Sequence, residues 1–232
     1  MTDRFSRSAL LAGEEALLRL RSARIIVFGA GGVGGSAVEA LARAGVGAID
    51  IVDPDSISES NLNRQILATE LTLGQNKAEA AAERIHSINP DCRALAHRVF
   101  YSADEHGDIE LSEYDYIIDA IDTVSSKLVL ISEAESAGVP IICSMGTGNK
   151  LDPTRFQVSD IYKTNTCPLA AVIRRECRKR GIRRLSVVWS DEIPRRTVVD
   201  GDGRHAPGSM SFVPPVAGMI AAGKVIREIA GI

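Results

Sequence analysis

Apolar residues along this chain alternate between two periods. "RIIVF" (24–28) and "AIDIVD" (48–53) are short, β-branched and nearly continuous, which predicts buried strands. "CRALAHRVF" (92–100), "YDYIIDAID" (114–122) and "VPIICSM" (139–145) read the same way. The stretches between them switch to helical spacing: "VGGSAVEALARAG" (33–45), stopped by Gly45, then 76–88, stopped by "NP", then 125–137. Residues 10–22 form an amphipathic helix with Leu10, Leu11, Leu17, Leu18 and Leu20 on its apolar side.

Beyond residue 145 the alternation loosens. "RFQVSDI" (155–161) and "RLSVVWS" (184–190) read as strands with a basic helix between them. A polar loop fills 191–211, and an apolar helix (214–229) ends the pattern. Regular strand–helix alternation predicts an α/β, Rossmann-like, doubly wound and mainly parallel sheet, with helices on both faces and a short C-terminal α/β extension. No linker or repeat separates the parts, so residues 1–150 and 151–232 are expected to share one core.

Composition changes this picture little. The net charge of −3 announces no nucleic-acid or membrane partner, so any such signal must be local. The first twenty residues mix acids with apolar positions and do not resemble a signal peptide, and no uncharged apolar run approaches the roughly 18 residues of a membrane span. A cytoplasmic protein is expected. Cys92, Cys143, Cys167 and Cys177 include no C-x-x-C pair, so reduced thiols are expected instead of a zinc site.

Candidate chemistry begins at Gly29-Ala30-Gly31-Gly32-Val33-Gly34, a G-x-G-x-x-G turn set between a strand and a helix. Such a turn brings backbone N–H groups close to phosphate. Asp53 ends the second strand 19 positions after Gly34, where it can accept from ribose hydroxyls. The turn alone does not say which nucleotide. The residues around it separate two chemistries. Hydride transfer has no need of Asn61, Arg64 and Gln65 directly after "IVDPD", whereas an adenylating enzyme needs cations at the β- and γ-phosphates and a carboxylate for Mg²⁺. Arg64, Lys77 at the next helix start and Asp122 at the end of the fourth strand are the candidates.

"GAGGVGG…IVDPDSISESNLNRQ…GQNKAEAAAERIHSINP…DYIIDAIDTVSSK" closely resembles the ubiquitin-activating-enzyme-like adenylating superfamily of the ThiF/MoeB type. The resemblance implies that Gly29, Gly31, Gly32 and Gly34 surround the phosphates of ATP and that Asp53 holds the ribose. It implies that Asn61, Arg64 and Lys77 grip the triphosphate with Gln65 supporting the loop, and that Asp122 binds Mg²⁺. Arg7 in "RFSR" resembles the arginine that this superfamily inserts into the partner subunit's nucleotide site, which implies a homodimer. On the residues alone, Arg7 reads equally as a solvated side chain. "SMGTGNKLDPTRFQVSDIYKTNTCPLA" with "VIRRECRKRGIRRLSVVWSDE" resembles the branch that dehydrates threonylcarbamoyladenosine beside the tRNA anticodon.

The basic segment bears on RNA independently. Arg174, Arg175, Arg178, Lys179, Arg180, Arg183 and Arg184 face one acid, Glu176. Leu169, Val172, Ile173 and Cys177 fall on one apolar side, so the cations project from the other, as phosphate binding requires. The plain alternative is a solvated helix. Arg195, Arg196, Arg204 and His205 extend the patch, Tyr162 and Phe212 are candidates for base stacking, and Trp189 is expected in the core. Cys167 precedes Pro168 at a helix start but has no neighbouring base, so packing is the favoured reading. Three rivals stay open. One is an adenylyltransferase for a ubiquitin-like sulfur-carrier protein, which also admits a sulfur-transfer protein partner. The others are a nicotinamide oxidoreductase and a non-catalytic RNA-binding module.

Overall fold

The computed structural model describes residues 4–195 and 207–232. Seven strands form one sheet: β1 (Arg24–Phe28), β2 (Ala48–Val52), β3 (Arg93–His97), β4 (Tyr116–Asp119), β5 (Ile141–Ser144), β6 (Phe156–Asp160) and β7 (Ser186–Ser190). Their order is β3-β2-β1-β4-β5-β7-β6. All neighbours are parallel except β6, which closes the edge antiparallel to β7.

The helices are α1 (Ser6–Ala12), α2 (Glu14–Ser22), α3 (Gly34–Ala44), α4 (Lys77–Ile88), α5 (Val124–Ala137), α6 (Pro168–Lys179) and α7 (Val213–Ala230). They cover both faces, and the strands therefore carry apolar residues at successive positions. Ile25 and Val27 enter a cluster with residues of α2, α3, α4 and α7, whereas Ile26 and Phe28 enter the opposite one with α5. The first cluster joins Phe156, Val188 and Val213 to residues of β1 and β2, so one core spans early and late parts of the chain. Gly218 lets α7 lie close against the start of α3. A Cβ there would collide with the carbonyl oxygen of Val33, just before α3.

Two elements differ from the sequence pattern. The expected helix over 10–22 is broken at Gly13, whose φ of 87° starts a second helix. Leu17 and Leu20 are buried, but Leu10, Leu11 and Leu18 are exposed, and α1 meets the core only through the partly buried Ala9 and Ala12. The fourth strand ends at Asp119, so Asp122 lies beyond it in the turn before α5. No helix among the described residues is long and apolar enough to cross a membrane.

Candidate active site

The strand order reverses direction at β1, which has β2 on one side and β4 on the other. Crevices form beyond the carboxyl ends of strands at such a point. Here it is a cleft of about 720 Å³. Gly29, Gly31, Gly32, Asp53, Asn61, Arg64, Gln65, Lys77 and Asp122 all line it. Gly34 does not. It lies beneath the turn, where a Cβ would collide with the carbonyl oxygen of Gly29. Its place permits helix–strand packing, and of the four expected glycines only the other three line the cleft.

Gly29 has φ 88°, and a Cβ there would meet the Ala120 carbonyl oxygen at 2.8 Å. Asp53 braces the same turn: one carboxylate oxygen accepts from Ala30 N at 2.7 Å and the other from Asp55 N at 2.9 Å. Burial raises the Asp53 carboxyl above its ordinary value, against the opposing pull of those two N–H donors. Asn76 caps α4 by accepting from Ala78 N and Glu79 N, and its amide donates back to the carbonyls of Asp53 and Asp55. That cap points Lys77, the first residue of α4, into the cleft. Its ammonium pairs with Asp55 at 2.8 Å. Since the Asp55 side chain is 66% exposed, the pair is weak and the ammonium can be shared with an incoming anion.

The 59–65 loop has a division of labour that its sequence did not reveal. Asn61 Oδ1 accepts from Ser58 N and closes a reciprocal cap, so this side chain shapes the loop. Arg64 is steered by Ser60 O at 2.9 Å and Asn63 Oδ1 at 2.8 Å, both through Nη1, which leaves Nη2 and Nε for an anion. Gln65 is buried, and its Oε1 has no partner among the described residues. Asp122 is exposed in the cleft and, among the described residues, accepts only a long bond from Thr123 at 3.5 Å.

The second arm of the cleft runs from Ser144 to Lys150 and includes Cys167, Pro168, Leu169 and Ser209. Cys167 is buried at the start of α6. All four cysteines are free, and no cluster of three or more metal-ligating side chains exists among the described residues. Trp189 is in the core, with its indole N–H on Ser159. Arg7 is exposed on α1 and does not line this cleft.

On α6, Ala170, Ile173 and Cys177 are buried, and Arg175, Arg178 and Lys179 are exposed, as are Arg183 and Arg184 beyond its end. Arg174 is a correction to the expected patch: it turns inward and donates to the Thr164 hydroxyl at 2.6 Å and carbonyl at 3.0 Å. Glu176 pairs with Lys179 at 2.9 Å and Arg180 at 2.7 Å, and their hydrogen bonds hold its carboxyl down at about 2. Arg178 lies over the ring of Tyr162, which leaves that ring less open for stacking than expected. Arg195 donates its N–H to Asn149 O, whereas Arg196, Arg204 and His205 lie outside the described residues.

The ThiF family signature matches residues 5–232. This chain belongs to the ThiF family. Within that family, the tRNA threonylcarbamoyladenosine dehydratase of Bacillus subtilis (strain 168) is 41% identical over 242 residues, covering 99% of this chain and 95% of its own. The Escherichia coli (strain K12) protein of the same name is 44% identical over 172 residues, covering 74% of this chain and 64% of its own. The crystal structure of E. coli TcdA in complex with AMP superposes with a TM-score of 0.88 at 36% identity, covering 98% of this chain and 94% of that one. The structure of the same enzyme with ATP gives a TM-score of 0.87. The nicotinamide and binding-module rivals therefore lose their footing, and the parallel α/β architecture is that of the family.

Proposed function

We propose that this chain is an ATP- and Mg²⁺-dependent dehydratase that cyclises threonylcarbamoyladenosine next to the tRNA anticodon through an acyl-adenylate. One observation carries the reading: the glycine turn, Asp53, Arg64, Lys77 and Asp122 meet in one cleft, in a chain that matches an enzyme of that name along nearly its whole length. That end-to-end match also favours the dehydratase over activation of a sulfur-carrier protein.

The residues fit ATP. Backbone N–H groups of the turn and the N-terminus of α3 suit phosphate, and Asp53 suits ribose hydroxyls. Arg64 and Lys77 neutralise the β- and γ-phosphates. The donor set also fits Mg²⁺, which keeps waters and takes one or two protein carboxylates beside phosphate oxygens. Asp122 is an exposed carboxylate in place, held only by the long bond from Thr123, and the bound ion would add charge neutralisation at the phosphates. A carboxylate is a poor acyl donor because oxide leaves badly, so transfer to AMP supplies a good leaving group. Attack by a neighbouring atom of the same substituent is then intramolecular, where effective molarities reach about 10⁵–10⁸ M. The protein has only to position, neutralise and exclude water, and no thioester on Cys167 is required.

For RNA, α6 begins at the cleft and carries its cations outward. At 1.5 Å per residue, Arg175 to Lys179 lie roughly 10–17 Å along the helix, within reach of phosphates flanking a splayed-out base. Phe212, half exposed two residues before the cleft-lining Pro214, and Phe100, half exposed in the cleft lining itself, are the aromatics within reach for stacking on that base. We further propose a cytoplasmic homodimer in which Arg7 enters the partner's cleft. The deciding experiment is nucleoside mass spectrometry after incubating the protein with ATP and modified tRNA. Loss of one water from the threonylcarbamoyl nucleoside is expected, and Lys77→Ala abolishes it. Exchange of pyrophosphate into ATP stimulated by a ubiquitin-like protein and indifferent to tRNA would support the sulfur-carrier reading instead.

A further inference from the structure

Two charged side chains outside the expected site are wholly buried beside the cleft. Lys127, in the first turn of α5, and Asp119, the last residue of β4, are each 0% exposed, with Nζ 2.7 Å from Oδ2. The same ammonium donates to the carbonyl of Ser144, the last residue of β5, at 3.2 Å. The second oxygen of Asp119 accepts from Ile121 N at 3.1 Å, inside the turn that carries Asp122. One ammonium thus ties the ends of two neighbouring strands. Through Asp119 it also holds the 120–122 turn, which Ala120 N fastens to Phe28 O at 2.8 Å beside the glycine turn.

Stability alone is a weak reason for such a pair. Desolvation offsets most of the attraction between buried charges, and apolar replacements of similar volume often serve as well. A fixed geometry is what the pair provides in addition. We propose that Asp119 and Lys127 are positioning residues: they hold Asp122 at the right distance from the phosphate-binding glycines to receive the metal ion of MgATP, and they lock that turn to the Ser144–Lys150 wall of the cleft's second arm. Neither side chain reaches solvent, so both act through Asp122 and the wall. This inference rests on the reading of the cleft as a MgATP site.

The test is calorimetric binding of ATP to the full chain across a Mg²⁺ titration, alongside steady-state kinetics and thermal melting. Lys127→Met alone strands a buried carboxylate. The main variant is therefore Asp119→Asn with Lys127→Met, which removes both charges, keeps an acceptor for Ile121 N and preserves side-chain volume. It is expected to melt within a few degrees of wild type and to bind metal-free ATP within about twofold, while its Mg²⁺ half-saturation rises roughly tenfold and kcat falls about thirtyfold. In an Asp122→Asn background the same pair of changes is expected to shift Mg²⁺ half-saturation less than about twofold, since coupled residues are not additive. An unchanged Mg²⁺ half-saturation in the main variant overturns the proposal. So does an equal shift in both backgrounds, or failure of the variant to fold. Absence of Mg²⁺-dependent ATP binding by wild type would instead sink the reading of the cleft.

Discussion

Asp53 carries two tasks with one carboxylate. It braces the glycine turn through Ala30 N and Asp55 N, and it faces the cleft where a ribose would donate to it. Burial favours its neutral form and lifts its pKa above the ordinary carboxylate value. Protonation removes an acceptor, so ATP affinity should be full at neutral pH and fall on acidification sooner than an ordinary carboxylate would allow. The loss beyond that from protonation of the ATP γ-phosphate should track Asp53, and Asp53→Asn should bind ATP weakly and keep only the phosphate's pH dependence. Calorimetry between neutral and mildly acidic pH measures both, and a wild-type profile as flat as the variant's would remove Asp53 from the ribose. The places of Asp53, Gly29, Gly31, Gly32 and Lys77 along one cleft were legible in the sequence because each is fixed by a local rule: a tight turn, a strand end, a capped helix start. Asp119 and Lys127 were not. A lone lysine in a helical stretch reads as solvated, and only the parallel pairing of β4 with β5 brings Ser144 to the ammonium.

Elements carry the next level of the argument, and α6 shows why composition alone misleads there. Its cations form a run in sequence, yet Arg174 is spent on Thr164, and Lys179, Arg180 and, at 3.5 Å, Arg175 are shared with Glu176. Reversing Arg175, Arg178 and Arg183 to Glu should weaken tRNA binding and lower the slope of log affinity against log salt by up to about 2–3, with ATP affinity unchanged. Filter binding across a salt series checks this. Arg174→Ala should instead lower thermal stability and change the salt slope little. At the contact between α3 and α7, Gly218→Ala should cost about 1–3 kcal/mol, because the new methyl must push α7 away from Val33 O. Chemical denaturation reads that loss directly. Strand–helix alternation made β1 to β5 legible from periodicity. It gave no hint that β7 would enter between β5 and β6, because neighbour order is set by packing across the whole sheet.

Across the whole molecule the unspent feature is the N-terminus. Gly13 breaks the expected helix, so α1 projects Leu10 and Leu11, 89% and 92% exposed, together with Arg7. Ala9 and Ala12 pack on the core while Leu10 and Leu11 stay bare, and Arg7 lies outside the cleft of its own chain. A two-fold homodimer answers both points if each α1 packs on the partner and presents Arg7 to the partner's nucleotide. Two-fold symmetry then makes each site a composite of both chains. Arg7→Ala and Lys77→Ala should each be inactive as pure proteins. Unfolded together and refolded, or coexpressed, they should regain activity, because a mixed dimer holds one cleft with both Lys77 and a donated Arg7. With random pairing, half the dimers are mixed and each has one intact site of two, so about a quarter of wild-type activity is expected. If Arg7 serves its own cleft, or serves none, the mixture gains nothing over the separate variants.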